Sequence, residues 1–355
     1  MGNRDRLSRV PSADEWKLLH GDARKQALVG VCFAGIKRLP KDQQPPRAIL
    51  LQWFAAAEKI RQRNVLLNQR AKELSILLGE AGFKSSILKG QGVASHYHVA
   101  NEDSLNSYFS GLGLYRQSGD IDVWVDGDRN DILCHMKNRY PCGRVLFHHV
   151  EVEVFDDVPV EVHFVPSFAY SWLRYRAYQR FFEECKEECF VESYLGFSVP
   201  SLRFNTVYVL LHIYRHVFQE GIGLRQLMDY YFVLREGGKV YKDWTMNWIR
   251  RMGLERFAAA VMYVEQEVFG LQEEYMLCKP DEKAGRFLLS RIMRAGNFGQ
   301  YDPRIRDNQS GGPFMLYFKN VNRLFGMVQF YPSEVLWAPV WKIWHYGWRK
   351  LKEFS

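Results

Sequence analysis

The stretch Ser118-Gly119-Asp120-Ile121-Asp122-Val123-Trp124-Val125 constrains this chain more than any other. Its alternation reads as a β-strand that sends Ile121, Val123 and Val125 to one face, and a strand with an apolar face needs a sheet and a core behind it. Asp120 and Asp122 then share the opposite face. Two carboxylates so placed repel by roughly 1 kcal/mol or more once partly desolvated, so a positive charge belongs between them. Mg²⁺ suits that place, because it is a hard ion that takes one or two protein carboxylates together with water and phosphate oxygens. The plainer alternative is a strand end whose two acids are solvated beside the turn Asp126-Gly127-Asp128.

The flanking sequence supplies the rest of such a site. Phe83 to Leu88 is a short strand candidate, and Lys89-Gly90-Gln91-Gly92 turns it into a helix expected to run to about His98. Glycine lets a backbone approach a ligand closely, and the free N–H groups of a helix start attract phosphate. Lys89 adds a charge, although an ordinary strand-to-helix turn with a surface lysine would read the same way. Residues 99–117 read as a loop that delivers Arg116 and Ser118 to the mouth of the Asp-bearing strand. Asp128 is placed to cap a helix over 130–139. Residues 149–155 and 159–165 then alternate as a hairpin, and Glu161 and His163 face away from Val160, Val162 and Phe164, offering a third carboxylate.

Helical periods dominate elsewhere. Short helices fill residues up to 40, and after the breaker Lys41-Asp42-Gln43-Gln44-Pro45-Pro46 a long helix runs from Ile49 to about Leu78. From Pro166 onward the spacing predicts helices near 168–190, 201–218, 222–236, 241–252, 254–269 and 281–295, with a loop or boundary at Gln309-Ser310-Gly311-Gly312-Pro313. The expected fold class is therefore α+β. A small mixed-sheet α/β core over 83–167 is flanked by an N-terminal helical region over 1–82 and a larger C-terminal helical domain over 168–355. With 355 residues, 47% of them hydrophobic, there is ample material for these cores.

A formal charge of +8 favours an anionic ligand without choosing among nucleotide, nucleic acid and acidic surface. The six cysteines lack paired CxxC spacing, which predicts free thiols in a cytoplasmic setting. Residues 1–17 are studded with charge and carry no apolar signal-peptide core, and no apolar run approaches the roughly 20 residues of a transmembrane helix.

Asp120 and Asp122 on one strand, Glu161 on another and Gly90 at a helix start are the parts of a metal-dependent nucleotidyl-transfer site. That chemistry uses two cations about 3.5–4 Å apart, one activating the attacking hydroxyl and one neutralising the triphosphate. Asp120 and Asp122 are expected to hold both ions, with Glu161 completing the hydroxyl-activating site and Gly90 and Gln91 lying against the β- and γ-phosphates.

Leu88-Lys89-Gly90, the run Arg116 to Val125, Val160-Glu161-Val162-His163, Leu211 to His216 and Gly221 to Asp229 together resemble the polymerase-β-like nucleotidyltransferase superfamily. Within it they are similar to a group of largely uncharacterised bacterial nucleotidyltransferase-like proteins. The resemblance implies transfer of a nucleoside monophosphate from a nucleoside triphosphate to a hydroxyl acceptor with release of pyrophosphate. It also implies two Mg²⁺ ions, or Mn²⁺, on Asp120, Asp122 and Glu161. Nucleotide contacts are expected from Lys89, Gly90, Gln91, Arg116, Ser118, Gly119, Arg225 and Asp229, the last two otherwise reading as an i,i+4 salt bridge. Gln91 departs from the superfamily, which usually has Gly or Ser there, and the gap from Gly90 to Asp120 is long. The acceptor is not readable and could be a small molecule, a macromolecule or a protein. The competing reading is an inactive nucleotide-binding interaction module, antitoxin-like or regulatory, which Gln91 favours.

Three further features are read structurally. His212 and His216, four apart on one helix, suit packing at a domain junction better than a metal pair that lacks a third ligand. Cys185 and Cys189 sit among glutamates that raise thiol pKa. Trp337, Trp341, Trp344 and Trp348 form one helical face among Lys342, Arg349, Lys350 and Lys352. Core packing is the expected use, with a peripheral membrane or partner surface as the alternative and stacking on single-stranded nucleic acid as a third.

Overall fold

The computed structural model describes residues 6–97, 111–301 and 324–353, with side chains to residue 350. Most of the loop read at 99–117 and the boundary read at 309–313 lie outside the described residues.

The chain opens with α1 (Ala13–Lys25), fixed by a capping box in which Ser12 Oγ accepts from the Glu15 amide and Glu15 accepts from the Ser12 amide. α2 (Val29–Arg38) leads to α3 (Arg47–Glu80), 34 residues long. α3 belongs to two cores. Ile49, Trp53 and Ala57 pack with Trp16, Phe33 and Ile36, whereas Leu67, Ala71, Leu74 and Leu78 lie under the sheet against Ile121, Val123 and Val125. The apolar face read from strand alternation is thus the one that α3 covers.

That sheet has five strands, β1 (Lys84–Ile87), β2 (Ile121–Asp126), β3 (Cys142–Val145), β4 (His149–Val152) and β5 (Val160–His163), in the order β1-β2-β5-β4-β3. β2 and β5 run parallel and the other neighbours antiparallel. The expected hairpin is β4–β5. β3 was not expected, because Cys142-Gly143-Arg144-Val145 has no alternation and its middle residues are exposed. A two-stranded ribbon of β6 (Val191–Glu192) and β7 (Ser198–Val199) is too short to carry any period. After β1 the chain makes only one turn of helix, α4 (Gln91–Ala94), where a helix to about His98 was expected. His98 itself lies outside the described residues. Gly92 is required there, since a Cβ would lie 2.2 Å from the Ile87 carbonyl oxygen. α5 (Arg129–Arg139) begins as expected, with Asp128 accepting from the Asn130 amide at 2.7 Å.

The C-terminal half is helical: α6 (Trp172–Glu184), α7 (Leu202–Gln219), α8 (Leu224–Gly237), α9 (Lys242–Arg251), α10 (Glu255–Phe269), α11 (Glu282–Ala295) and α12 (Pro332–Glu353). The periodic spans locate α7 to α11 to within about three residues, within the usual uncertainty of helix ends. α7 is buried almost all round, at the centre of the largest hydrophobic cluster. On α12 the expected core packing holds for part of the tryptophan face. Trp341 stacks on Phe168 with ring centroids 4.8 Å apart, while Trp337 and Trp344 remain 39% and 47% exposed. No helix among the described residues is long and apolar enough to cross a membrane. All six cysteines are free, and burial, then Glu188, pushes the Cys185 thiol up to about 11.

One core residue is out of character. Glu265 on α10 is fully buried, and neither carboxylate oxygen has a hydrogen-bond partner among the described residues. Burial, then the charge of Asp229, raises its carboxyl well above the ordinary value. The folded state therefore holds a proton that the unfolded state releases at lower pH. Stability from this group is complete below the ordinary glutamate range and is lost as pH rises toward the elevated folded value. Glu265→Met, of similar volume, is expected to stabilise the fold by about 1–3 kcal/mol near pH 8. The gain should widen from pH 6 to pH 9. Urea melts across that range check this, and a gain that does not change with pH would contradict it.

Candidate active site

The parallel register sets Asp122 on β2 directly beside Glu161 on β5. Asp120, one residue before β2, faces the same way. Asp120, Asp122 and Glu161 line one cavity of about 290 Å³, together with Gly90, Arg116 and Ser118 and with His212, Arg215, His216 and Arg225 of α7 and α8. The volume lies at the small end of ligand pockets, and charged and imidazole side chains supply most of its walls.

β1 continues past its last pair, with the Leu88 amide donating to the Asp122 carbonyl at 2.9 Å. Lys89 thereby emerges beside Asp122, and its Nζ lies 2.7 Å from Asp122 Oδ1 in a pair whose side chains are only 12% and 9% exposed. His163 Nε2 approaches the same oxygen at 2.8 Å. Burial pushes the Asp122 carboxyl up, but Lys89 and His163 outweigh it and hold the group well below the usual carboxylate range. Burial also opposes ionisation of Glu161, and the contact with His163 overrides it, so that carboxyl too lies below its ordinary value. Burial, then repulsion from Asp122, pushes the Asp120 carboxyl up to about 6, and the charges of Lys89 and Arg225 only partly offset this rise. The repulsion expected within the Asp pair is thus expressed on Asp120.

Gly90 borders the cavity at φ +54°, a backbone conformation that favours glycine. The neighbouring Gln91 does not line it. Its side chain donates to Asn68 Oδ1 at 2.7 Å and to Asn64 Oδ1 at 3.3 Å on α3, so the expected placement of this side chain against phosphates is replaced by a polar contact beneath the turn. The four-residue α4 also sums few peptide dipoles, which weakens the case for a phosphate site at its start.

Arg225 and Asp229 do not pair with each other. Asp229 accepts from Arg116 Nε at 2.6 Å and Arg116 Nη2 at 2.7 Å, and from the Tyr97 hydroxyl at 2.6 Å, outside the cavity. Arg116 Nη1 donates to Ser118 Oγ at 2.7 Å. Arg225 does border the cavity, donating to the Gln117 carbonyl at 2.6 Å with its guanidinium 5.3 Å from the Phe298 ring centroid. Burial, then Arg116, lowers the Arg225 pKa to about 10. Gly119 does not line the cavity, and its carbonyl accepts from Arg63 at 3.0 Å.

His212 and His216 lie with ring centroids 4.4 Å apart and both reach the cavity wall. Burial first holds both imidazoles below their ordinary pKa. Sequence reasoning missed Arg215, Glu220, His148 and His149, all of which line the cavity. The doublet His148-His149 at the head of the hairpin was the available signal, since one of two adjacent strand residues must face the same way as Glu161.

No curated protein and no solved structure matches the chain. Residues 12–270 match a family model described as "Uncharacterised nucleotidyltransferase".

Proposed function

Because the chain belongs to this uncharacterised nucleotidyltransferase family, we propose that it transfers a nucleoside monophosphate from a nucleoside triphosphate to a hydroxyl acceptor, releasing pyrophosphate, with Mg²⁺ as the working ion. The observation that carries the reading is the meeting of Asp120, Asp122 and Glu161 on one cavity bordered by Gly90. Three carboxylates in a shared, largely buried site are the hard oxygen donors Mg²⁺ takes, and burial, then repulsion from Asp122, raises the Asp120 carboxyl, a cost that a bound cation would relieve. Asp120, Asp122 and Glu161 would hold the ions. When bound, such ions offset polyphosphate charge and make an acceptor hydroxyl more acidic.

The remaining roles fall to the chain's own side chains. Lys89, Arg215 and Arg225 surround the cavity with positive charge suited to a triphosphate. Arg116 is a positioning residue: locked by Asp229, it donates to Ser118 and so orients the turn that leads into Asp120. Asp122 is kept ionised by Lys89 and His163, ready to act as an oxygen donor at neutral pH.

The test is pyrophosphate release by the full chain with each of the four ribonucleoside triphosphates, Mg²⁺ and a panel of hydroxyl acceptors. Pyrophosphate should accumulate with one triphosphate and one acceptor class, with the labelled monophosphate recovered on the acceptor. Nucleotide-induced thermal stabilisation with no turnover across the panel would overturn transfer and leave the binding module.

A further inference from the structure

The cavity holds more imidazole than an all-oxygen site uses. β4 opens with His149 and β5 closes with His163, and the antiparallel register sets these two residues directly opposite each other. Glu161 precedes His163 by two residues on the same strand, so the three side chains share one face of the sheet. Glu161 Oε2 lies 3.5 Å from His149 Nδ1 and 3.4 Å from His163 Nε2, and the three candidate ligand atoms all fall within 4.8 Å of one another.

These separations are at or beyond the limit of a good hydrogen bond. The two distances to Glu161 match ligands of a shared ion instead, because ligands about 2.0–2.2 Å from a tetrahedral metal stand roughly 3.3–3.5 Å from each other. Asp122 Oδ1, engaged by His163 Nε2 at 2.8 Å and by Lys89 Nζ at 2.7 Å, borders the group on the same side. His149 is 5% exposed and His163 fully buried, yet both ring nitrogens of His149 and Nδ1 of His163 lack a hydrogen-bond partner among the described residues. Buried imidazole nitrogens ordinarily find partners. His149, with neither ring nitrogen hydrogen-bonded among the described residues and Nδ1 turned toward Glu161, has the chemistry of a metal ligand, and His163 Nε2, held at Asp122, faces the same carboxylate.

We infer that His149, His163 and Glu161 form a mixed nitrogen–oxygen site for a divalent ion of the zinc class, sharing Glu161 with the carboxylate set. Imidazole donors favour zinc and its transition-metal neighbours, whereas Mg²⁺ prefers oxygen alone, so the two ends of the cavity select different metals. The role of this ion in activating the acceptor hydroxyl rests on the nucleotidyl-transfer reading. Its binding does not.

The experiment titrates metal-free full-length protein with Zn²⁺ alone against a chromogenic zinc indicator, and follows histidine ring ¹⁵N resonances in the same titration. One equivalent of Zn²⁺ should bind more tightly than Mg²⁺ and shift two ring systems, assigned to His149 and His163 by their loss in His149→Gln and His163→Gln. Each substitution should weaken Zn²⁺ by at least about tenfold, while Asp120→Asn changes it by less than about threefold. Because His163 also touches Asp122, His149→Gln is the variant that decides the matter if His163→Gln fails to fold. Ring resonances that do not move, or a His149→Gln protein with wild-type zinc affinity, would overturn the site. Zinc binding without turnover for any triphosphate would sink the transfer reading alone, and Mg²⁺-supported turnover without the zinc signature would sink this inference alone.

Discussion

Asp122→Asn is expected to abolish nucleotidyl transfer. Asp122 is the carboxylate whose charge the site defends most strongly, with Lys89 Nζ at 2.7 Å and His163 Nε2 at 2.8 Å on one oxygen. An amide of the same shape keeps hydrogen-bonding capacity and loses the charge that would hold a divalent ion. Several kcal/mol of transition-state stabilisation should go with it, a fall on the order of 10³-fold in kcat. The substitution also leaves Lys89 facing a neutral group with only 12% of its side chain exposed, so some loss of stability is expected. The double variant Lys89→Met with Asp122→Asn separates the two effects. Its melting temperature should recover toward wild type while pyrophosphate release stays abolished. A single variant that turns over within tenfold of wild type would remove Asp122 from the chemistry and return it to a structural ion pair.

The contrast between Asp120 and Asp122 also shows what could be read from the chain and what could not. Strand alternation alone put both acids on one face, and the hairpin alternation put Glu161 on a matching face of another strand. Helical spacing located α7 to α11, and Asp128 announced the start of α5. These are local properties, set by periods of two and 3.6 residues and by capping chemistry. Partner choice is not local. Lys89 and Asp122 are joined because β1 pairs with β2 one residue beyond the point where the strand ends, and His149 meets His163 only through the β4–β5 register. Gln91 follows Gly90 in sequence yet turns beneath the chain to Asn64 and Asn68, since one turn of helix points successive side chains to different sides. The i,i+4 spacing of Arg225 and Asp229 allowed a salt bridge on the helix surface. A better-placed guanidinium from 113 residues earlier took the aspartate instead.

That long-range pair gives the largest expected effect on the fold itself. Arg116 and Asp229 have side chains only 4% and 7% exposed, and they meet through two nearly parallel bonds of 2.6 and 2.7 Å while Tyr97 donates to the same carboxylate. Burial works against the charge on Arg116, and Asp229 more than restores it. Asp229→Ala leaves a buried guanidinium with no counter-charge and frees the Tyr97 hydroxyl, so it should cost about 3–5 kcal/mol. The damage should spread to the site, because Arg116 also fixes Ser118 beside Asp120. Replacing both partners, Arg116→Met with Asp229→Leu, removes the uncompensated charge along with its partner and should recover much of the lost stability, since buried ion pairs exchanged for apolar groups of similar volume are often near neutral. Transfer should stay impaired in that double variant even though the fold returns, because Ser118 has lost its donor. Urea denaturation of Arg116→Met, Asp229→Leu and the double variant, read beside pyrophosphate release, closes the cycle. An Asp229→Ala protein less than about 1 kcal/mol below wild type would mean that the pair is screened as a surface bridge would be, against its burial.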